Sequence, residues 1–227
     1  MVIQISTFDF TGLLSDTIPF SYPEDDLPTL HCVRLEWDGS LMHALSTDLN
    51  RIAISSWHPH DDTEAGDERE QARLPVSPWG GSDRPWAVVL PRPDAEKLVQ
   101  VFKLPAKRGL TPLAVEVQHG HLKVIRPRVG GLLSLRADVE GSLEEFPDLR
   151  KLLGEHDRVE AVDGISYSGG NLADFCSNVR QRGPLELGFS GPTGMTRISI
   201  GERFVGAVRP ASVRTQMGAR LGAGTQG

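Results

Sequence analysis

Apolar positions recur along this chain in one order of periods, repeated three times. Val2 to Ile5 alternates as a short strand, and Phe10, Leu13, Leu14 and Ile18 follow at approximately helical spacing. Three strand-like runs come next: Leu30 to Trp37, Leu41 to Ser46 and Arg51 to Trp57. Asp38-Gly39 stands between the first two as a hairpin signal. This unit reads as βαβββ. It starts again with Trp86 to Leu90, a helix carrying Ala95, Leu98, Val99 and Phe102 on one stripe, and runs around Val115, Leu122 to Ile125 and Leu132 to Ala137. A third unit opens at Ala161 to Tyr167 and has a helical stripe of Leu172, Phe175, Cys176 and Val179. It ends in Leu185 to Phe189, Thr196 to Ile200 and Phe204 to Val208. The stripes show that one face of each helix packs on a sheet, which by itself specifies only an α+β protein.

Two segments break the pattern. His58 to Arg84 is rich in Asp, Glu, Gly, Pro and Ser without an apolar period, and reads as a mobile acidic excursion. Arg214 to Gly227 reads as a flexible tail. The expected organisation is one complete domain over 1–154, built from units 1–57 and 85–154, followed by a half-domain over 155–213.

Charge and cysteine content narrow the picture. Acidic residues outnumber basic ones by 30 to 24, which excludes a uniformly basic nucleic-acid binder but allows a basic face on an acidic body. The two cysteines, Cys32 and Cys176, each sit in an apolar pattern and read as reduced, buried thiols of an intracellular protein. No uninterrupted apolar run approaches the roughly 20 residues that span a bilayer, and no charged segment followed by an apolar one opens the chain. The expected location is the cytoplasm.

Local sequence then points to a family. Leu30-His31-Cys32-Val33-Arg34-Leu35-Glu36 followed by Ser46-Thr47-Asp48-Leu49-Asn50-Arg51-Ile52-Ala53 resembles the middle domain of bacterial DNA polymerase III beta sliding clamps, where a strand precedes A-T-D-G-H-R-L-A. Val89-Leu90-Pro91 and then Glu145-Phe146-Pro147-Asp148-Leu149-Arg150-Lys151-Leu152-Leu153 resemble the family's helix entry and interdomain link, in the same order. The third unit, with Asp174 in its helix and Phe204 to Pro210 at its end, resembles the second half of the family's last domain. The resemblance implies a DNA clamp (processivity) fold made of three half-domains. The family's first domain, and the first half of its last one, have no counterpart.

The same resemblance implies a docking pocket for short peptides of a DNA polymerase or another partner carrying a clamp-binding motif. One wall would be Leu30, Thr47, Leu49, Asn50, Arg51 and Ile52, with Pro147, Lys151 and Leu152 beside it. The other wall would be Met195, Ala207, Arg209, Pro210 and Ala211. Such a slot works by burying a peptide's apolar anchors while a few polar groups fix its direction. Leu49-Asn50 stand where the family has Gly-His, so subsite shape should differ. Thr47, Asp48 and Arg51 also fit a plain hydrogen-bonded turn between strands.

For double-stranded DNA, the resemblance implies helices lining a hole and offering cations to phosphates without reading sequence. The candidates are Arg92, Lys97, Lys103, Lys107 and Arg108 on or after the second helix, with Arg180 and Arg182 ending the third; the first helix has no basic residue. Cations near helix ends equally complement the helix dipole. His58, His60, Asp61 and Asp62 have ligand-like side chains but read as a solvated loop, and no metal or other cofactor is expected. His119 and His121 flank Gly120 in a hairpin turn, and Gly191 to Gly194 read as a turn. No catalytic motif occurs, so an enzyme is not expected. The leading expectation is a processivity clamp that holds DNA and docks partners, assembling with copies of itself, a homotetramer being the simplest closed ring. The alternative is a clamp-fold interaction or ligand-sensing module of a transcription regulator that does not encircle DNA.

Overall fold

A computed structural model of the chain describes residues 2–59, 84–128, 131–154, 164–180, 183–191 and 194–211. The first unit forms β1 (Ile3–Ser6), α1 (Thr7–Thr17), β2 (Cys32–Trp37), β3 (Met42–Thr47) and β4 (Arg51–Trp57). The second forms β5 (Trp86–Pro91), α2 (Arg92–Phe102), β6 (Pro112–Gln118), β7 (His121–Arg126) and β8 (Leu135–Glu140). Then come α3 (Leu149–Gly154), α4 (Gly169–Asn178), β9 (Leu185–Gly188), β10 (Thr196–Ile200) and β11 (Phe204–Val208).

The helix starts follow from local chemistry. Ser6 has extended backbone, and its hydroxyl accepts from the Asp9 N–H at 3.0 Å, satisfying one of the donors that a helix start leaves over. A proline in the first turn of α2 occupies a position that needs no donor. The β6–β7 hairpin turns on His119 and Gly120, both at positive φ (52° and 80°), as the tight primed turns of hairpins require.

The first two units are interlocked. β1 pairs not with its own unit but with β6, in the register Ile3↔Val115 and Ile5↔Leu113. Reciprocally, β5 pairs with β2, in the register Val88↔Leu35 and Leu90↔Val33. The result is a four-stranded sheet, β1-β6-β7-β8, and the first four strands of a seven-stranded one, β5-β2-β3-β4-β11-β10-β9. Apolar residues of both sheets and of α1 and α2 form one core, in which Phe10 meets Phe102 edge to face with ring centres 6.4 Å apart. The third unit adds to this frame by pairing β11 with β4. There, a Cβ on Gly206 would lie 2.6 Å from the Ile52 carbonyl oxygen and 2.6 Å from the Phe175 ring, so β11, β4 and α4 approach this closely only around a glycine.

Three expectations need correction. The last strand of the second unit is β8 at Leu135–Glu140, not Leu132 to Ala137, because its pairing with β7 runs from Arg126↔Leu135 to His121↔Glu140. The strand expected at Ala161 to Tyr167 is absent over residues 164–167, which have no sheet partner to hydrogen-bond along; 161–163 lie outside the described residues. Cys176 is exposed, not buried, because among the described residues no second helix covers that side of α4, whereas Cys32 is buried as expected. Residues 60–83, Pro192, Thr193 and the tail also lie outside the described residues.

Candidate functional site

The pairing of β4 with β11 brings together two stretches far apart in sequence. Val208 lies opposite Arg51, and the Arg209 N–H donates to the Asn50 carbonyl at 2.7 Å, so the Thr47–Ile52 turn and the start of the 209–211 segment are neighbours. On the sheet face away from α1, Cys32, Leu45, Ile52, Ile54, Met195 and Ala207 form an apolar floor. The link segment lies on this floor through Phe146, Leu149 and Leu153, a 3–4 spacing that puts them on one side of the link and α3. Leu152, on the flank of α3, keeps 39% of its surface exposed, with Lys151 exposed beside it.

Of the expected pocket residues, Ile52, Met195 and Ala207 therefore meet in one cluster, and Pro147 lines a cleft of about 240 Å³ next to it. That cleft is otherwise formed by Arg34, Glu36, Leu45, Phe146, Asp148, Leu149 and Arg150. Glu36 is its electrostatic centre, bridged by Arg34 at 2.8 Å and by Arg150. Leu30 is buried before β2; Leu49 and Asn50 are exposed at the turn tip, as are Arg209 and Ala211 to differing degrees, with Pro210 half-buried. Sequence reasoning missed Phe146, Leu149 and Leu153 as site residues, although their spacing within the link was the signal that could have found them.

Thr47 and Arg51 face inward. The Thr47 hydroxyl donates to the Arg51 carbonyl at 2.7 Å, and the Asp48 carboxylate accepts from the Asn50 and Arg51 N–H groups. The Arg51 guanidinium is bound to Asp48 at 2.6 Å and to Asp174 on α4, donates to the Pro19 carbonyl, and lies 5.2 Å from the centre of the Phe20 ring. Every strong direction of that cation is taken up inside the protein. Leu49, at φ 76°, projects outward from the same turn.

The candidate DNA contacts divide in the same way. Arg92 binds Glu96 at 2.9 Å and the Ser21 carbonyl at 3.0 Å. Lys97 reaches Asp94 at 3.1 Å while 71% of its side chain stays exposed; Lys103 and Arg108 are exposed, and Lys107 lies in a 3-10 turn, Ala106–Arg108. Arg180 is spent on α1. It binds the fully buried Asp16, donates to the Phe8 carbonyl at 3.0 Å and covers the Phe8 ring at 4.8 Å. A Cβ on Gly12 would collide with its guanidinium at 1.4 Å. Burial pushes the Asp16 carboxyl above its ordinary pKa, although Arg180 and the Ser55 hydroxyl pull the other way. Arg182 and the His60, Asp61 and Asp62 side chains lie outside the described residues. Among the described residues no group of acidic, histidine and cysteine side chains is arranged to hold a metal.

The fold of the chain is shared with solved structures of known proteins. The DNA polymerase sliding clamp from Pseudomonas aeruginosa superposes with a TM-score of 0.65 over 93% of this chain at 12% identity. The chain has the DNA sliding-clamp fold. A putative DNA polymerase III beta subunit from Eubacterium rectale gives 0.67 over 95% at 11% identity, and the sliding clamp from Bacillus subtilis gives 0.65 over 93% at 15%. The chain spans 66%, 66% and 64% of the length of these three proteins. No protein-family model matches the chain, and no curated protein does. Among the described residues no helix is long and apolar enough to cross a membrane.

Proposed function

We propose that this chain is a non-enzymatic, clamp-like processivity factor of the cytoplasm that docks partner proteins and holds double-stranded DNA. On this proposal residues 1–154 are a complete clamp-like domain and 155–213 a half-domain. One observation supports docking most directly. At the edge of the buried cluster that the link forms with the joined β4–β11 sheet, Leu49 and Leu152 stay exposed to solvent. Apolar side chains from a polymerase or similar partner would bury there, beside the polar cleft around Glu36. Lys97, Lys103 and Arg108 are the cations best placed to meet phosphates, since Arg51, Arg92 and Arg180 are engaged within the protein.

The test is a fluorescent peptide carrying a clamp-binding motif, titrated against the full chain and against Leu152→Asp. Leu152 is exposed enough for the change to leave the fold intact, and a loss of affinity of at least tenfold is expected. Equal affinities in the two proteins would remove the docking site from the link.

The charge distribution favours a second function, the interaction module that does not encircle DNA. The chain carries a formal charge of −6, and the basic residue at the end of α4 neutralises Asp16 instead of facing outward. Absence of DNA association by the unmodified protein at low salt would decide for it.

A further inference from the structure

We propose that the third unit is an open half-domain which a second copy of this chain completes, the two third units exchanging the segments before α4 across a two-fold axis. The first two units show what such a half requires. In each, the strand before the helix leaves its own unit and pairs with the first hairpin strand of the other, β1 on β6 and β5 on β2. The side chains at that junction are fully enclosed: Ile3 and Ile5 on one side, Leu113 and Val115 on the other, all at 0% exposure.

The third unit has the same parts without the closure. Ser168 precedes α4 as Ser6 precedes α1, which makes Ile165 and Tyr167 the counterparts of Ile3 and Ile5. Both are only half-buried. β9 is the counterpart of β2 and β6, and its outer edge pairs with nothing in the described chain. Leu185 and Leu187 lie opposite Ile200 and Ile198, on the α4 face of the sheet, yet remain 37% and 40% exposed. Among the described residues α4 likewise has no helix beside it of the kind α1 and α2 provide for each other, and Cys176 of its apolar stripe is exposed.

An open strand edge flanked by exposed leucines, next to an uncovered helix, invites another strand. Its complement must be a segment before a helix on a half-domain that is itself open. The described chain holds one such half, so the complement is its own copy, and the contact is isologous. Carried over from the register of β1 on β6, Ile165 of one copy would face Leu187 of the other, and Tyr167 would face Leu185. This inference rests on the clamp-like reading of the proposed function, while peptide binding at the link is read separately.

The test is the mass of the full chain by light scattering from low to high micromolar concentration. The expected result is an even multiple of 24.8 kDa that falls at least twofold in Leu187→Asp, with the circular dichroism spectrum and peptide affinity retained. A second variant combines Ile165→Cys, Leu187→Cys and Cys176→Ser. It should form a disulfide-linked species of twice the chain mass under non-reducing conditions, whereas either single cysteine placed in the Cys176→Ser background should not. A mass of one chain throughout, or an even multiple that Leu187→Asp leaves unchanged, would overturn the inference. Peptide affinity lost only with Leu152→Asp would then leave docking standing.

Discussion

The buried carboxylate of Asp16 on α1 accepts hydrogen bonds from both the backbone N–H (2.8 Å) and the guanidinium Nε (3.3 Å) of Arg180, which stands just beyond α4. Together with Arg51–Asp174, this ion pair ties the third unit to the first across elements distant in sequence. Replacing Asp16 by Ala leaves Arg180 and the Ser55 hydroxyl without their acceptor and should cost about 2–4 kcal/mol, measured by urea unfolding. Asp16 also carries a pH signature. Its pKa is raised on folding, so its contribution is favourable below the ordinary carboxylate value of 3.8 and is lost as pH rises through the higher folded value. The stability difference between the natural chain and Asp16→Asn should therefore shift in favour of the variant as pH climbs from 3.8 through that window.

DNA association, if it is carried by phosphate contacts, should depend on cations that are free to leave their partners. Lys97→Glu, Lys103→Glu and Arg108→Glu together should abolish binding of a duplex in low salt. Arg180→Glu should act instead on folding, since its target is Asp16. For the natural protein, the slope of log affinity against log salt should lose about 0.9 for each contact removed. Fluorescence anisotropy with single substitutions measures this, and a flat salt dependence would argue against phosphate tracking.

The two thiols should behave differently. Cys32 is 1% exposed, donates to the Thr29 carbonyl at 3.1 Å, and has its pKa pushed up to about 12, mainly by burial and further by Glu144. Cys176 is exposed. A thiol reagent at neutral pH should label one site per chain quickly and reach the second only on denaturation. Mass spectrometry of the labelled protein identifies which; slow labelling of Cys176 at high protein concentration would also accord with its being covered by a second copy.

Much of this architecture was legible because helical and strand periods alternate in a repeated order. The helix stripes Phe10, Leu13, Leu14 and Ala95, Leu98, Phe102 point inward as their spacing requires. The exchange of β1 and β5 was not legible, since an alternating strand looks the same whichever partner it joins. Nor was the role of Arg51 and Arg180: a cation in sequence carries no sign of the carboxylate that folding places beside it. β3 is buried along its whole length because the core lies on one face and the link cluster on the other, so its polar members Ser46 and Thr47 give no simple in-and-out alternation. The apolar cluster under the link was half visible. Ile52, Met195 and Ala207 follow from the family pattern, while Phe146, Leu149 and Leu153 look in sequence like a connector.

The strand exchange between the first two units also dictates the order in which the chain can be assembled. Thr7, at the junction of β1 and α1, donates to the carbonyl of Thr111, 104 residues away. During synthesis β1 must wait, unpaired, until that later segment has emerged, and neither unit has a finished sheet before then. Loops of that length close slowly, and their contacts reward the chain only at the end. Refolding should consequently be a single slow event for both units together, with a window in which bare apolar strands are open to aggregation and to chaperones.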